Sequence, residues 1–62
     1  MDAREIKRLR LALELTQEAF ARRVEVSTSS VHRWETGETS PQGALVRRRL
    51  AQLVREAART NP

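Results

Sequence analysis

The sequence predicts a small all-α fold, an orthogonal bundle of four or five helices, and three observations predict it. Apolar residues recur at helical spacing. The β-branched residues Val24, Val26, Thr28 and Val31 never alternate over a strand-length run, and cap or stop residues separate the periodic stretches. A length of 62 residues suits one domain, assigned to residues 1–59 with a frayed tail at 60–62. A chain this short buries only about 60% of its unfolded surface, so it has little interior in which to enclose an active site.

From residue 3 to residue 13, Ile6, Leu9 and Leu13 repeat with Arg4, Lys7 and Arg8 on the other side, which gives a first helix. Thr16 is a good cap for a second, because its hydroxyl accepts an otherwise orphan N–H. Glu18 then stands where a helix start favours negative charge. Leu15 before that cap and Phe20 just inside it are placed as a hydrophobic staple. The second helix runs to residue 23, with Phe20, Ala21 and Val24 on one face, and residues 24–26 form a tight turn. Ser27 caps a third helix that reaches Thr36, where Gly37 stops it. Thr39, Ser40, Pro41 and Gly43 mark residues 38–43 as a loop. A last helix over residues 44–59 sets Val46, Leu50, Leu53, Val54 and Ala57 on one side. These helices must hide their stripes against one another. The predicted core is Ile6, Leu9, Leu13, Leu15, Phe20, Val24, Val26, Val31, Trp34, Leu45, Leu50 and Leu53.

Composition excludes several classes of function. There is no cysteine and a single histidine, which removes disulfides, thiolate zinc sites and ordinary transition-metal sites; no cofactor is expected. No apolar run approaches the roughly 20 residues that span a bilayer, and no signal-peptide pattern opens the chain. A cytoplasmic protein without membrane contact is therefore expected. Ser27, Ser29 or Ser30 with His32 and Glu35 suggest a triad, but helical neighbours at these spacings do not form nucleophile, base and orienter. An enzyme is not expected. The balance of 12 Lys+Arg against 8 Asp+Glu, net +4, suits a polyanionic partner.

The third helix carries the functional signal. On a wheel of 100° per residue, Ser27, Val31 and Trp34 fall within about 60° of one another. Thr28, Ser29, His32, Arg33 and Thr36 occupy the opposite arc, polar throughout and free of acid. An ordinary solvated helix face would mix in Glu or Asp. Hydroxyls, an imidazole and a guanidinium are the groups that meet base edges and phosphates, and a major groove about 12 Å wide admits a helix. Trp34 lies on the Val31 side and belongs to the core, since no second aromatic completes a stacking platform there. Two short helices joined by a tight turn in a small basic helical domain form the helix-turn-helix pattern, here over residues 16–37.

The chain resembles the Cro/phage-repressor-type (XRE-like) helix-turn-helix family over residues 4–54. The marks are Ile6-Lys7-Arg8-Leu9-Arg10, Leu15-Thr16-Gln17-Glu18-Ala19-Phe20-Ala21, Val24-Glu25-Val26-Ser27, Val31-His32-Arg33-Trp34-Glu35-Thr36-Gly37, and Pro41, all in one register. The resemblance implies a lambda-repressor-like DNA-binding domain and sequence-specific binding of double-stranded DNA by a homodimer. It further implies a nucleoid-associated regulator of prokaryotic or phage type. By that likeness Gln17 matches a phosphate contact at the start of the second helix, and Thr28, Ser29 and Arg33 match positions that reach bases. His32 and Thr36 match flanking positions that more often touch the backbone. Arg10 and Glu35 match a structural salt bridge.

The chain departs from this family at several points. The family usually has glycine where Glu14 ends the first helix and where Glu25 sits in the turn; either the turns take another geometry or the fold bears the strain. The loop after Gly37, often basic in the family, reads Glu38-Thr39-Ser40. Net charge is +1 over residues 1–37 and +3 over 38–62, so most of the excess lies in Arg47, Arg48, Arg49, Arg55 and Arg59. A cluster such as Arg47-Arg48-Arg49 is ordinarily a solvated helix face. These features keep an alternative open, a protein-interaction module on the same fold. Because antitoxins of some toxin–antitoxin pairs resemble this family, the likeness also implies an antitoxin-like form of it with a toxin-like partner.

Overall fold

The computed structural model describes residues 1–59 in full and the backbone of residue 60. Four helices follow one another, α1 (Ala3–Ala12), α2 (Gln17–Val24), α3 (Thr28–Thr36) and α4 (Ala44–Thr60), and no strand occurs among the described residues. The all-α prediction holds, with four helices. Of the tail expected to fray at 60–62, residue 60 still belongs to α4, and residues 61–62 lie outside the described residues.

Local chemistry sets each start. Asp2 caps α1 by accepting from the Glu5 N–H at 2.9 Å, and the Glu5 carboxylate accepts from the Asp2 N–H at 3.0 Å, a reciprocal capping box. That cap was legible as an Asp-x-x-Glu pattern, although helical periodicity alone does not show it. Thr16 accepts from the Ala19 N–H and Ser27 from the Ser30 N–H, each at 3.1 Å.

The first three helices end alike. The Leu15 N–H returns to the Arg10 carbonyl at 3.1 Å, Val26 to Ala21 at 3.0 Å, and Glu38 to Arg33 at 3.0 Å. Each bond spans a residue in the left-handed region, namely Glu14 (φ 56°), Glu25 (φ 61°) and Gly37 (φ 82°). The turns thus keep the geometry that favours glycine, and two glutamates bear its cost of roughly 1–2 kcal/mol each. In the first two turns the next residue, Leu15 or Val26, is half-buried against the core, the hydrophobic contact that accompanies such caps.

The core comprises Ile6, Leu9, Phe20, Ala21, Val24, Val31, Trp34, Leu50, Leu53 and Ala57, with no buried polar or charged residue among them. α3 packs on α1 and α2, and α4 packs across both of those helices. Leu13, Leu15 and Val26 sit at the core's edge rather than within it. Leu45 corrects the predicted core: it is 53% exposed, because α4 is only beginning there and turns Val46 and Leu50 inward instead. Val54 is likewise outward, 43% exposed, while Leu53 and Ala57 take the inner positions. Ala21 and Ala57 are buried because close helix packing favours small side chains, a signal that hydrophobic size alone overlooks.

Two outcomes follow for stability. Glu14→Gly should stabilise the chain by about 0.5–1 kcal/mol, the left-handed cost relieved less the added entropy of the unfolded glycine. Thermal melting reads this as a rise of a few degrees; a fall would show that the Glu14 side chain makes a contact worth more than its backbone cost. Leu45→Ala should change stability by no more than about 0.5 kcal/mol, whereas Leu53→Ala should cost about 2–5 kcal/mol in urea denaturation. Equal costs would contradict the placement of Leu45.

Candidate nucleic-acid interface

One ion pair sets the relation between α1 and α3. Arg10 Nε and Nη2 donate to the two carboxylate oxygens of Glu35 at 2.6 and 3.0 Å, a two-pronged contact between side chains only 13% and 6% exposed. Arg10 Nη1 also donates to the Leu15 carbonyl at 3.0 Å, tying in the turn before α2. Gln17 at the start of α2 donates its amide to Glu35 Oε1 at 3.3 Å. Burial pushes the Glu35 carboxyl up, but hydrogen bonds from Arg10 and Gln17 and the charges of Arg10 and Lys7 outweigh it and hold the group below its ordinary value. The Glu35 hydrogen bond raises Arg10 in turn, against the effect of burial.

This network places Gln17 beside the first two turns of α3. Gln17, Thr28, Ser29, His32 and Arg33 line one shallow groove with Glu38. Thr28, Ser29, His32 and Arg33 are exposed, and α3 has no acidic residue in its first turn. Val31 and Trp34 on the far side of α3 are buried, so they prop that polar stripe outward. Thr36 is exposed but lies one turn further on, outside the groove, and its hydroxyl donates to the Arg33 carbonyl at 3.1 Å. Gln17 commits one amide hydrogen to Glu35 and keeps a second donor and its carbonyl oxygen.

Glu38 is the one acid in the groove. Its presence there follows from the Gly37 turn, which folds the next residue back toward Arg33. The sequence marked Glu38 as an acidic replacement in the loop without showing that it joins the groove.

Of the other three ion pairs among the described residues, two join separate elements and the third lies within α2. Arg49 meets Glu25 at 2.7 Å, Arg23 meets Glu56, and Glu18 meets Arg22 one turn along α2 at 3.2 Å. Arg49 is therefore a strut between α4 and the turn before α3, and Arg47 Nε reaches the Gly43 carbonyl at 3.5 Å. Among the described residues no group of His, Cys, Asp and Glu is placed to hold a metal, and no helix is long and apolar enough to cross a membrane.

A family model described as a helix-turn-helix domain matches residues 3–60. The chain belongs to that family. The helix-turn-helix assignment is of the Cro/phage-repressor (XRE-like) type, and it suggests DNA binding; domains of this kind are typically non-enzymatic. No curated protein and no solved structure shows significant similarity to the chain. In the helix-turn-helix unit, α2 is the first helix and α3 the second, and the groove spans the start of both.

Glu35 gives the unit a pH dependence of known sign. Its carboxyl is lowered in the folded state, so its stabilisation is complete above the ordinary carboxylate range and is lost as pH falls through the lowered value. Glu35→Gln should cost roughly 1.5–3 kcal/mol near neutrality, the scale of a hydrogen bond to a charged group. Urea midpoints of both chains, taken at about pH 7 and again at about pH 3, should converge on acidification. A gap that stays constant would show that the ion pair adds nothing to stability.

Proposed function

We propose that the protein is a sequence-specific double-stranded DNA-binding transcriptional regulator of the phage-repressor type. The observation that carries this reading is the acid-free exposed stripe of α3 meeting Gln17 in one groove. In this reading α2 lies across the backbone and α3 enters the major groove N-terminus first. Gln17 and the free N–H groups at the start of α2 hold a phosphate. Thr28 and Ser29 reach base edges, and the Arg33 guanidinium is suited to a bidentate contact with guanine O6 and N7. His32 and Thr36 flank these contacts on the backbone. One unit touches few base pairs, so a homodimer on half-sites about 34–36 Å apart is part of the proposal. So is a cytoplasmic, nucleoid-associated location in a prokaryote or phage-infected cell.

A second reading, an antitoxin-like or other interaction module, is favoured by one feature. Glu38 sets a carboxylate in the groove where phosphate would approach. A selection from random duplexes separates the regulator from a module that does not read DNA, because only the regulator enriches a defined operator; an antitoxin-like protein would enrich one and bind a toxin-like partner as well. On that operator Arg33→Ala should lose roughly 1–3 kcal/mol and relax preference at one base pair. Uniform loss across sequences, or none, would remove Arg33 from base reading.

A further inference from the structure

A second concavity, about 450 Å³, opens on α4 and shares no residue with the α3 groove. Met1, Leu50, Ala51 and Val54 give it apolar walls, and Arg47 and Arg55 supply its charged side chains. Its volume lies within the roughly 300–1,000 Å³ of ordinary ligand clefts. Arg47, Ala51, Val54 and Arg55 stand at spacings of four, three and one along α4, so they share one helix face. Met1 and Val54 are 49% and 43% exposed, large apolar groups left in water. Four arginines outside the cleft, Arg10, Arg22, Arg23 and Arg49, meet carboxylates of the chain. No carboxylate lines this cleft, and neither Arg47 nor Arg55 forms an ion pair among the described residues.

We infer that the α4 cleft docks an acidic amphipathic helix of a different protein, its apolar side chains on Met1, Ala51 and Val54 and its carboxylates on Arg47 and Arg55. Charge complementarity selects this occupant. A second copy related by a two-fold axis presents the same patch, which brings no carboxylate to Arg47 or Arg55. A nucleic acid backbone would satisfy the arginines but would desolvate its phosphates on an apolar wall. A helix with one apolar and one acidic face satisfies both halves of the cleft. The inference does not depend on DNA recognition, since the two concavities are separate.

The test uses the 62-residue chain and two designed helical peptides, one of leucine and glutamate and the other with lysine in place of glutamate. Amide chemical shifts followed by NMR should show the glutamate peptide moving Ala51, Val54 and Arg55 saturably while leaving Thr28, Ser29 and Arg33 in place. Val54→Lys and Arg55→Glu, both on the surface, should each weaken binding roughly tenfold with a folded spectrum retained, a decade in Kd. Arg55→Glu should also gain affinity for the lysine peptide. Equal binding of both peptides, binding by neither, or shifts centred elsewhere would overturn the inference. So would cleft shifts that grow with protein concentration alone, which mark a second copy, or that appear with duplex DNA alone.

Discussion

The contact between Arg10 and Glu35 is the constraint on which the arrangement of the helices depends. It joins side chains 25 positions apart in the chain, and its other hydrogen bonds reach the turn through the Leu15 carbonyl and α2 through Gln17. Four segments therefore converge on one carboxylate and one guanidinium. Such a pair is weak as a source of net stability, because both charges surrender water. Its strength is geometric: the planar fork of arginine accepts only a narrow range of carboxylate positions. With Glu35 fixed, the first turns of α3 come to lie beside Gln17, and the polar groove exists because they do. Gln17 is then held by the same carboxylate that orients α3, so this groove residue is also part of the frame.

The turns show how much local strain that frame tolerates. Three helices close with the same backbone bond, and only one uses glycine at the left-handed position. At Glu25 the side chain reaches Arg49 on α4, while the following Val26 packs toward the core. At Glu14 the following Leu15 does the packing, and its carbonyl holds Arg10. Contacts made by the next residue thus offset the cost at the residue itself. A chain of this length has few such contacts to spare, which makes its turns more sensitive to substitution than its outer helix faces.

The helices and most of the core were legible because their causes are local. Thr16, Ser27 and Gly37 are cap chemistry, and Phe20, Val31 and Trp34 fall on stripes that any helix must bury. Leu45 and Val54 misled because α4 has apolar residues on more than one side. Periodicity names a face without saying which neighbour covers it. Glu38 joined the groove for a different reason: its position depends on a reversal at Gly37, a backbone event with no hydrophobic pattern. Likewise Arg49 read as one of three like charges, yet a residue 24 positions earlier, Glu25, gives it a partner. What escaped the sequence was the backbone reversal at one turn and the pairing of Arg49 with Glu25 across distance.

Charge placement follows from the same pairing. The count of 12 Lys+Arg overstates what a polyanion would meet, since Arg10, Arg22, Arg23 and Arg49 are matched by carboxylates of the chain. Among the described residues Arg33 is the one cation lining the α3 groove, and Glu38 stands with it. If this groove reads DNA, little of its affinity comes from released counterions, whose contribution scales with the number of phosphates neutralised. Hydroxyls, an amide and one guanidinium would then supply contacts that depend on correct base-edge geometry far more than on bulk charge. A site so composed is weak on random sequence and relatively selective. For such a protein, doubling the contacts on a second half-site is a more effective route to tight binding than adding positive charge.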